Sequence, residues 1–306
     1  MQTILGATGQ IGTELARTLN AHHTRALRLV SRNPRKVNAT DELVSADLLD
    51  AHETYDAVAG SEIVYLTAGL PLNTRLWVDQ WPVMMRNVIA ACAAHQAKLV
   101  FFDNTYMYPQ TDDIQTEETP FAPHGEKGKV RALIAEELLE AMAKEKVEAM
   151  ICRAPEFYGP GKTQSITNAT IINRLKAGKS AKIFLRDDTL RTLIYTPDAS
   201  KAMALLGNTP DAYQQTWHLP CDDERLTYKQ LIELAGEILG RKCDYTVVKK
   251  WQLKLLGLFS STLRETQELL PRYEVDNRFA SGKFKHQFPD FEITSYREGL
   301  KQALRD

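Results

Sequence analysis

The sequence predicts an α/β protein in which a doubly wound parallel sheet is followed by a smaller α+β C-terminal domain. Short runs rich in Val, Ile and Leu alternate with longer stretches of helical periodicity through the first half of the chain, a pattern typical of buried parallel strands and their crossover helices. A glycine-rich segment directly follows the first run, and the elements become shorter after Gly159. These observations together indicate the fold class.

The predicted elements follow one another at regular intervals. The predicted strands are Thr3–Leu5, Ala26–Val30, Glu42–Val44, Ile63–Thr67, Lys98–Phe102 and Ala149–Cys152. The predicted helices are Thr13–Asn20, Leu76–His95, Val130–Lys144, Tyr228–Leu239 before the stop at Gly240, and Thr294–Leu304. Right-handed crossovers bring the carboxyl ends of parallel strands to one edge of the sheet, where ligands bind in folds of this kind.

Two domains are predicted. The first covers residues 1–158, and the second, a smaller substrate-binding domain, covers 159–306. We expect residues 190–207 to return to the first domain, because a short apolar run at Leu193–Tyr195 is followed by Pro197 at a helix start.

Composition and charge narrow the classes of function. The chain has 306 residues, a formal net charge of −1 and no long run of Lys or Arg, so we expect no nucleic-acid partner and no membrane partner. Its four cysteines form no Cys-x-x-Cys pair, which argues against a disulfide framework and against a metal site. No run approaches the length of a membrane span, and a strand begins at once. We expect a cytoplasmic protein with reduced thiols.

The glycine-rich segment carries the first functional prediction. Residues 6–12 read Gly-Ala-Thr-Gly-Gln-Ile-Gly between a strand and a helix, which is the context of the dinucleotide fingerprint of a Rossmann domain. Its three glycines permit a tight turn, a close approach of the pyrophosphate and close packing of the helix on the strand, the alternative being a purely structural turn. The predicted cofactor contacts are Gly6, Thr8, Gly9, Gln10, Ile11 and Gly12.

The segment after the second strand bears on the choice of dinucleotide. A site for NAD would carry Asp or Glu here to accept from the ribose 2′-hydroxyl. The chain instead has Ser31, Arg32 and Arg35, and two guanidinium groups suit a 2′-phosphate. We therefore predict NADP, with NAD possible, and the alternative is two solvated arginines in a loop.

Five further segments carry a family resemblance. They are residues 46–48 (Ala-Asp-Leu), 87–88 (Asn-Val), 153–161 (Arg-Ala-Pro-Glu-Phe-Tyr-Gly-Pro-Gly), 191–198 (Arg-Thr-Leu-Ile-Tyr-Thr-Pro-Asp) and 226–227 (Leu-Thr). With the glycine-rich segment, they make nearly the whole chain resemble the extended short-chain dehydrogenase/reductase family, in the NAD-dependent epimerase/dehydratase group that includes nucleotide-sugar epimerases. The resemblance implies a Rossmann cofactor domain and a small-molecule substrate.

The resemblance also implies cofactor contacts at later strand ends. The residues concerned are Asp47, Leu48, Thr67, Ala68, Gly69 and Pro155. Asp47 would contact the adenine edge, residues 67–69 would line the ribose and pyrophosphate, and the backbone near Pro155 would meet the carboxamide. The alternatives are that Asp47 only caps a helix and that Gly69 only forms a turn.

The catalytic part of the family pattern is altered. The family places a serine or threonine after the fifth strand and a Tyr-x-x-x-Lys pair on the next helix, and the pair is missing here. One alignment puts Lys127 and Arg131 at the two positions, and another puts His124 and Gly128 there. We prefer the first, because the i, i+4 spacing places both cations on one helix face, as a proton donor and a ribose-holding cation require.

Two more candidates follow the fifth strand. The resemblance places Asn104 at the position of the hydroxyl and Tyr106 where dehydratases carry an active-site glutamate. An asparagine amide donates a hydrogen bond but cannot relay a proton, which suits oxyanion stabilisation. Tyr106 is either a general acid or a pocket wall. The predicted catalytic residues are Asn104, Tyr106, Lys127 and Arg131, with Tyr158 and His124 as further candidates.

Three functions follow from these residues. The first is an NADP-dependent reductase or epimerase-like enzyme acting on a carbonyl or alcohol carbon of a small molecule or nucleotide sugar. The second is an NADP(H)-binding regulatory or redox-sensor protein without turnover. A sugar-nucleotide dehydratase comes last, since Thr105 and Tyr106 replace its carboxylates. We favour the enzyme, as a monomer or homodimer, because the polar candidates fall together as a site requires.

Overall fold

The computed structural model describes residues 1–161 and 164–305, and within these ranges it contains fifteen strands and eleven α-helices. The strands are β1 (Gln2–Leu5), β2 (Leu27–Ser31), β3 (Glu42–Ser45), β4 (Ile63–Leu66), β5 (Lys98–Asp103), β6 (Ile114–Gln115), β7 (Ala149–Arg153), β8 (Glu156–Tyr158), β9 (Ala181–Phe184), β10 (Leu190–Arg191), β11 (Leu193–Tyr195), β12 (Gln215–His218), β13 (Leu226–Thr227), β14 (Tyr245–Val248) and β15 (Arg278–Phe279). The helices are α1 (Gln10–His22), α2 (Ala51–Val58), α3 (Thr74–His95), α4 (Gly125–Ala143), α5 (Asn173–Lys176), α6 (Thr196–Gly207), α7 (Tyr228–Leu239), α8 (Lys250–Gly257), α9 (Ser261–Thr266), α10 (Gly282–Gln287) and α11 (Tyr296–Arg305).

Seven parallel strands form one central sheet in the order β12-β7-β5-β4-β1-β2-β3. The order reverses at β1 and β4, which makes the carboxyl ends of these two strands the switch point at which doubly wound sheets bind ligands. The side chains of β1 and β4 are all buried, as expected for strands covered on both faces. The predicted doubly wound α/β class is confirmed, and each of the six predicted strands lies within one residue of its observed ends.

Some elements differ from the sequence prediction. Helix α2 and strand β12 were not predicted, because α2 has only eight residues and β12 reads Gln-Thr-Trp-His without an apolar run. Helix α4 begins five residues earlier than predicted, so Lys127 lies inside it. Helix α7 matches its predicted bounds, and Gly240 ends it in the left-handed conformation at φ 64°, which favours glycine.

The chain divides into two compact units. Unit 1 comprises Met1–Met107, Glu126–Ala154 and Ala199–Leu219, and it contains the seven-stranded sheet. Unit 2 comprises Tyr108–Gly125, Pro155–Asp198 and Pro220–Asp306. The domain boundaries given above, including the return over residues 190–207, stay a prediction.

Unit 2 is built from two-stranded ladders and helices. Strands β8 and β11 pair in parallel, as do β9 and β14, and helices α7 and α11 pack on the same apolar core. The buried Arg191 forms an ion pair with the partly exposed Glu156 in this unit, and the Tyr228 hydroxyl donates to Glu156 Oε2 at 2.7 Å. Among the described helices of both units, none has the length and hydropathy that crossing a bilayer requires.

Candidate functional site

The turn after β1 needs glycine at two positions because the neighbouring backbone leaves no room for a side chain. Gly6 has φ +92°, and a Cβ added to it would lie 2.5 Å from the backbone Cα and N of Ala68. A Cβ on Gly12 would lie 2.8 Å from the carbonyl oxygen of Gly6. Both distances are shorter than any relaxed contact, so these glycines let β1, α1 and the end of β4 approach one another.

Gly9 is different, because no protein atom occupies the space in front of it. Its φ and ψ are −74° and 162°, and a Cβ would have one near contact, the Gly6 carbonyl oxygen at an ordinary 3.4 Å. Gly9 precedes α1 without a capping side chain, and the first turn holds no acidic residue. Thr8 is exposed, Gln10 half-buried and Ile11 buried. We call the open space between Gly9 and the first turn of α1 the cradle. A pyrophosphate fits it, since the N–H groups and the dipole of a helix N-terminus attract anions.

The loop after β2 presents basic side chains. Arg32 and Arg35 are exposed, and among the described residues neither forms an ion pair or hydrogen bond through its guanidinium group. Ser31 Oγ is buried without a hydrogen-bond partner in the same residues. Asp41 is the only carboxylate in residues 31–41, and its oxygens accept from the backbone N–H groups of Val37 and Asn38. It is therefore engaged inside the loop.

The segment after β3 holds Asp47 in a local turn. Asp47 Oδ1 accepts from the N–H of Leu49 at 3.1 Å, while the cap of α2 is Asp50. The alternative in which Asp47 caps that helix is thus wrong. Leu48 is buried, and its carbonyl oxygen accepts from Asn87 Nδ2 on α3 at 3.0 Å. This bond ties the loop to α3.

The segment after β4 lies against the glycine turn. The N–H and Oγ1 of Thr67 both donate to the carbonyl oxygen of Leu5, at 2.9 and 3.2 Å. Ala68 is the backbone that Gly6 approaches, and Gly69 is exposed. Residues 67–69 therefore meet residues 6–12 at the switch point of the sheet.

The carboxyl ends of β5 and β7 share a buried charge cluster. Asp103 lies opposite Arg153 in the strand register and accepts from Arg153 Nε at 3.2 Å. Arg131 on α4 donates to Asp103 Oδ1 through Nε at 3.0 Å and also through Nη2. All three side chains are buried, and the Arg131 guanidinium lies 4.6 Å from the centre of the Trp81 ring. Asp103 therefore holds two buried guanidinium groups, one from α4 and one from β7.

A tight turn follows the cluster and displays two candidate residues. Asn104 Oδ1 accepts from the N–H of Tyr106 at 2.9 Å, and its own N–H donates to Asp103 Oδ1. The oxygen of the Asn104 amide is thereby used, which leaves its NH2 group as the part that can donate elsewhere. The Tyr106 ring is stacked on Trp77, with centroids 6.0 Å apart and planes at 15°, and Tyr106 is half-buried.

Lys127 is placed differently from the other candidates. It lies on α4 one turn before Arg131, it is fully buried at 0% exposure, and its Nζ donates to Thr74 Oγ1 at 2.5 Å. The predicted pair therefore shares a helix face, but this face is covered. A side chain without exposed surface does not reach a substrate unless the structure moves, which argues against direct proton transfer from Lys127.

Three further candidates belong to unit 2. Pro155 is the first residue of its central segment. Tyr158 is 1% exposed and stacked on Tyr296, and burial raises the pKa of its phenol well above the ordinary value. His124 is exposed in the loop before α4. A phenol that is buried and holds its proton tightly is poorly suited to acid/base catalysis near neutral pH.

Sequence reasoning missed the residues that support the site. Asp103 positions both Arg131 and the turn of Asn104, and Thr74 binds Lys127. One signal in the sequence could have indicated the charge cluster: Asp103 and Arg153, which carry opposite charges, directly follow two of the predicted strands. No group of three or more His, Cys, Asp or Glu side chains within residues 1–161 and 164–305 is arranged to hold a metal.

Comparison with known proteins agrees with this geometry. A family model described as the NAD dependent epimerase/dehydratase family matches residues 3–219. The uncharacterized protein y4nL of Sinorhizobium fredii is 29% identical over 140 residues, which cover 45% of this chain and 38% of that protein, so the chain spans well under half of the length of this relative.

Solved structures of similar fold cover the whole chain. A UDP-glucuronic acid 4-epimerase from Bacillus cereus in complex with NAD has a TM-score of 0.80 at 14% identity, covering 100% of this chain and 98% of that one. A UDP-glucose 4-epimerase from Thermus thermophilus with NAD has a TM-score of 0.78 at 15% identity, with coverage of 100% and 98%. DesIV, a dTDP-glucose 4,6-dehydratase from Streptomyces venezuelae with NAD bound, has a TM-score of 0.78 at 14% identity, with coverage of 100% and 96%. At these identities the likeness establishes the fold.

Proposed function

The chain belongs to the NAD dependent epimerase/dehydratase family, and we propose that it is an oxidoreductase or epimerase-like enzyme that prefers NADP. Its substrate would be a small molecule or nucleotide sugar with a reactive carbonyl or alcohol carbon. The observation that carries the proposal is the open cradle at Gly9, next to a loop whose arginines have no carboxylate partner in the described chain. We also propose a cytoplasmic location and a monomer or homodimer.

The preference for NADP rests on the loop after β2. A 2′-phosphate carries negative charge, and planar guanidinium groups bind phosphate with paired, charge-assisted hydrogen bonds. Arg32 and Arg35 are available for this role, and the buried hydroxyl of Ser31 lies at the end of the same strand. Asp41, the only carboxylate in the loop, is engaged by backbone N–H groups. An NAD-type contact to the ribose 2′-hydroxyl therefore has no free carboxylate acceptor in this loop.

The residues that hold the dinucleotide in this proposal lie along the carboxyl edge of the sheet. The uncapped first turn of α1 takes the pyrophosphate, Asp47 and Leu48 lie on the adenine side, and residues 67–69 line the ribose. When bound, the nicotinamide supplies or accepts a hydride. The chain's own residues then have to orient the substrate and handle the proton on its oxygen.

We assign proton transfer to Tyr106 and oxyanion stabilisation to Asn104. Tyr106 keeps part of its surface exposed, while stacking on Trp77 restrains its ring. The Asn104 amide is fixed by the bond to the Tyr106 N–H, so its NH2 group is preorganised to donate to a developing negative charge. Lys127 and Arg131 act through position and charge, since Lys127 is fully covered and Arg131 is bound to Asp103.

The cofactor assignment is tested by affinity. Calorimetric titration should give a lower Kd for NADP than for NAD, and Arg32→Ala with Arg35→Ala should raise the Kd for NADP without changing that for NAD. Arg25→Ala is the matched control, because Arg25 is an exposed arginine just before the opposite end of β2. NAD binding tenfold tighter than NADP in the wild type, about 1.4 kcal/mol, would contradict the assignment.

The catalytic assignment needs a substrate, found by screening carbonyl compounds and nucleotide sugars for NADPH oxidation. Loss of a general acid lowers the rate by about 10²–10⁴-fold and loss of one oxyanion donor by about 10²–10³-fold. We expect these effects for Tyr106→Phe and Asn104→Ala, with little change in cofactor affinity. Tyr55→Phe, at a half-exposed tyrosine, is the control. Unchanged rates in both site variants would refute the assignment, and binding without any turnover would favour the sensor.

A further inference from the structure

The helical hairpin α8–α9 of unit 2 exposes an unusual amount of apolar surface. Trp251 is 65% exposed, Leu258 72% and Phe259 86%, and Leu255 and Leu256 are about half exposed. These five account for half of the ten large hydrophobic side chains that are exposed in the described parts of the chain. Clustered exposure on this scale marks an interaction surface rather than scattered surface residues.

The hairpin is held in place by its other face. Leu253 is buried in the core of unit 2, and its carbonyl oxygen accepts from Gln267 Nε2 at 3.0 Å. At the tip, the N–H groups of Leu258 and Phe259 donate to the carbonyl oxygens of the preceding turn. The apolar tip is thus presented by a hydrogen-bonded turn.

Charge in the hairpin is predominantly basic. Residues 249–266, which span α8, the tip and α9, contain Lys249, Lys250, Lys254 and Arg264 against one acidic residue, Glu265, in a chain whose net charge is −1. Lys250 pairs with Glu274. Neither Lys249, Lys254 nor Arg264 forms an ion pair within residues 1–161 and 164–305. The net charge of the whole chain therefore gives no indication of the basic and apolar surface on this hairpin.

We propose that the α8–α9 hairpin docks on an anionic lipid surface, with Leu258 and Phe259 entering the interface and the lysines facing the headgroups. Aromatic and leucine side chains next to Lys and Arg are the composition of helices that lie in a membrane interface. Protein interfaces, in contrast, are depleted in lysine. A symmetric contact through this face would bring the lysines of both copies into one interface. The proposal is independent of the catalytic assignment.

Tryptophan fluorescence provides a direct readout on the whole chain. Of the four tryptophans, Trp77, Trp81 and Trp217 are buried, so Trp251 alone changes its surroundings when the hairpin docks. We expect a blue shift and co-sedimentation with vesicles of phosphatidylcholine mixed with phosphatidylglycerol, weakened by salt. Vesicles of phosphatidylcholine alone should bind far less. Trp251→Phe should remove the shift but retain the sedimentation.

Matched variants separate the two contributions. Leu258→Ser with Phe259→Ser should weaken binding by at least about a hundredfold, because burying two large apolar side chains contributes about 3 kcal/mol or more. Lys249→Gln with Lys254→Gln should weaken it by about twenty-five-fold, since each basic residue at an anionic surface contributes about fivefold. The controls are Leu43→Thr with Leu133→Gln, and Lys146→Gln with Lys179→Gln, all exposed elsewhere; they should bind like the wild type.

Several results would overturn the proposal. They are no binding to anionic vesicles, equal binding to neutral ones, and unchanged binding of folded Leu258→Ser/Phe259→Ser protein. A wild-type dimer that this double variant dissociates would instead identify a second copy as the occupant. Binding of a partner protein that buries Trp251, without any effect of lipid, would likewise show that the occupant of the hairpin is a protein and not a membrane.

Discussion

Replacing Gly9 by serine separates cofactor binding from folding stability. The φ and ψ of Gly9 suit a helix N-cap, and a Cβ there would meet only one atom, at an ordinary 3.4 Å. Serine is a preferred N-cap whose hydroxyl accepts from an N–H of the first turn. Gly9→Ser should therefore leave the free energy of unfolding unchanged or raise it by a few tenths of a kcal/mol.

The same substitution should strongly weaken dinucleotide binding. The serine side chain would fill the space in front of α1 and occupy an N–H group that a pyrophosphate needs. A hydrogen bond to a charged group contributes about 1.5–3 kcal/mol, so each one lost raises the Kd by about 10- to 150-fold. Calorimetric titration with NADPH and thermal denaturation without cofactor measure the two effects separately.

Two other glycines serve as controls for this experiment. Gly12→Ala puts a Cβ 2.8 Å from the Gly6 carbonyl oxygen and 2.9 Å from Ala7 Cα, and such overpacking should lower the free energy of unfolding by about 1–3 kcal/mol. Gly282→Ser meets no atom within 4 Å and should change neither property. An unchanged Kd in folded Gly9→Ser would refute the assignment of the pyrophosphate to α1. A loss of stability in Gly9→Ser as large as that in Gly12→Ala would refute the inference that the space in front of Gly9 is open.

Three further predictions concern buried ionisable groups. Asp103→Asn should lower the free energy of unfolding by about 3–5 kcal/mol in chemical denaturation, because Arg131 and Arg153 lose their buried counter-charge. Burial raises the pKa of Tyr213 above the range of a free phenol. Because the unfolded chain releases this proton above about pH 10 and the folded protein keeps it, the free energy of unfolding should fall there by about 1.4 kcal/mol per pH unit for this residue. Tyr213→Phe should show a shallower fall. Burial also raises the pKa of Cys92 to about 12, so the partly exposed Cys243 should react first with a thiol reagent, and Cys243→Ser should abolish the fast phase.

The sheet and its cofactor edge were predictable, because their signals are local. Apolar runs mark the buried strands, and the spacing of Gly6, Gly9 and Gly12 marks a turn from strand to helix. Strand β12 was not predictable in this way, since its Trp217 and His218 are buried beside polar neighbours and only its pairing with β7 identifies it. Propensity is a weak guide where tertiary pairing decides the conformation.

The supporting residues of the site depend on contacts between distant segments. Asp103 and Arg153 are fifty residues apart and meet only because β5 and β7 are neighbours in register. Arg131 reaches the same carboxylate from α4. No local pattern contains this information, although opposite charges at the ends of predicted neighbouring strands are a usable hint. The cluster therefore becomes visible only after the strand order is known.

The choice between Tyr106 and Lys127 shows what spacing alone leaves open. An i, i+4 spacing predicts that Lys127 and Arg131 share a helix face, and it does so equally well whether this face meets a ligand or the protein interior. Lys127 has no exposed surface and donates to Thr74, whereas Tyr106 is half-buried beside an asparagine whose amide is already oriented. A proton donor must come within hydrogen-bond distance of the substrate oxygen. Burial therefore favours Tyr106 as the donor, and an effect of Lys127 on turnover would be exerted through the position and field of its charge.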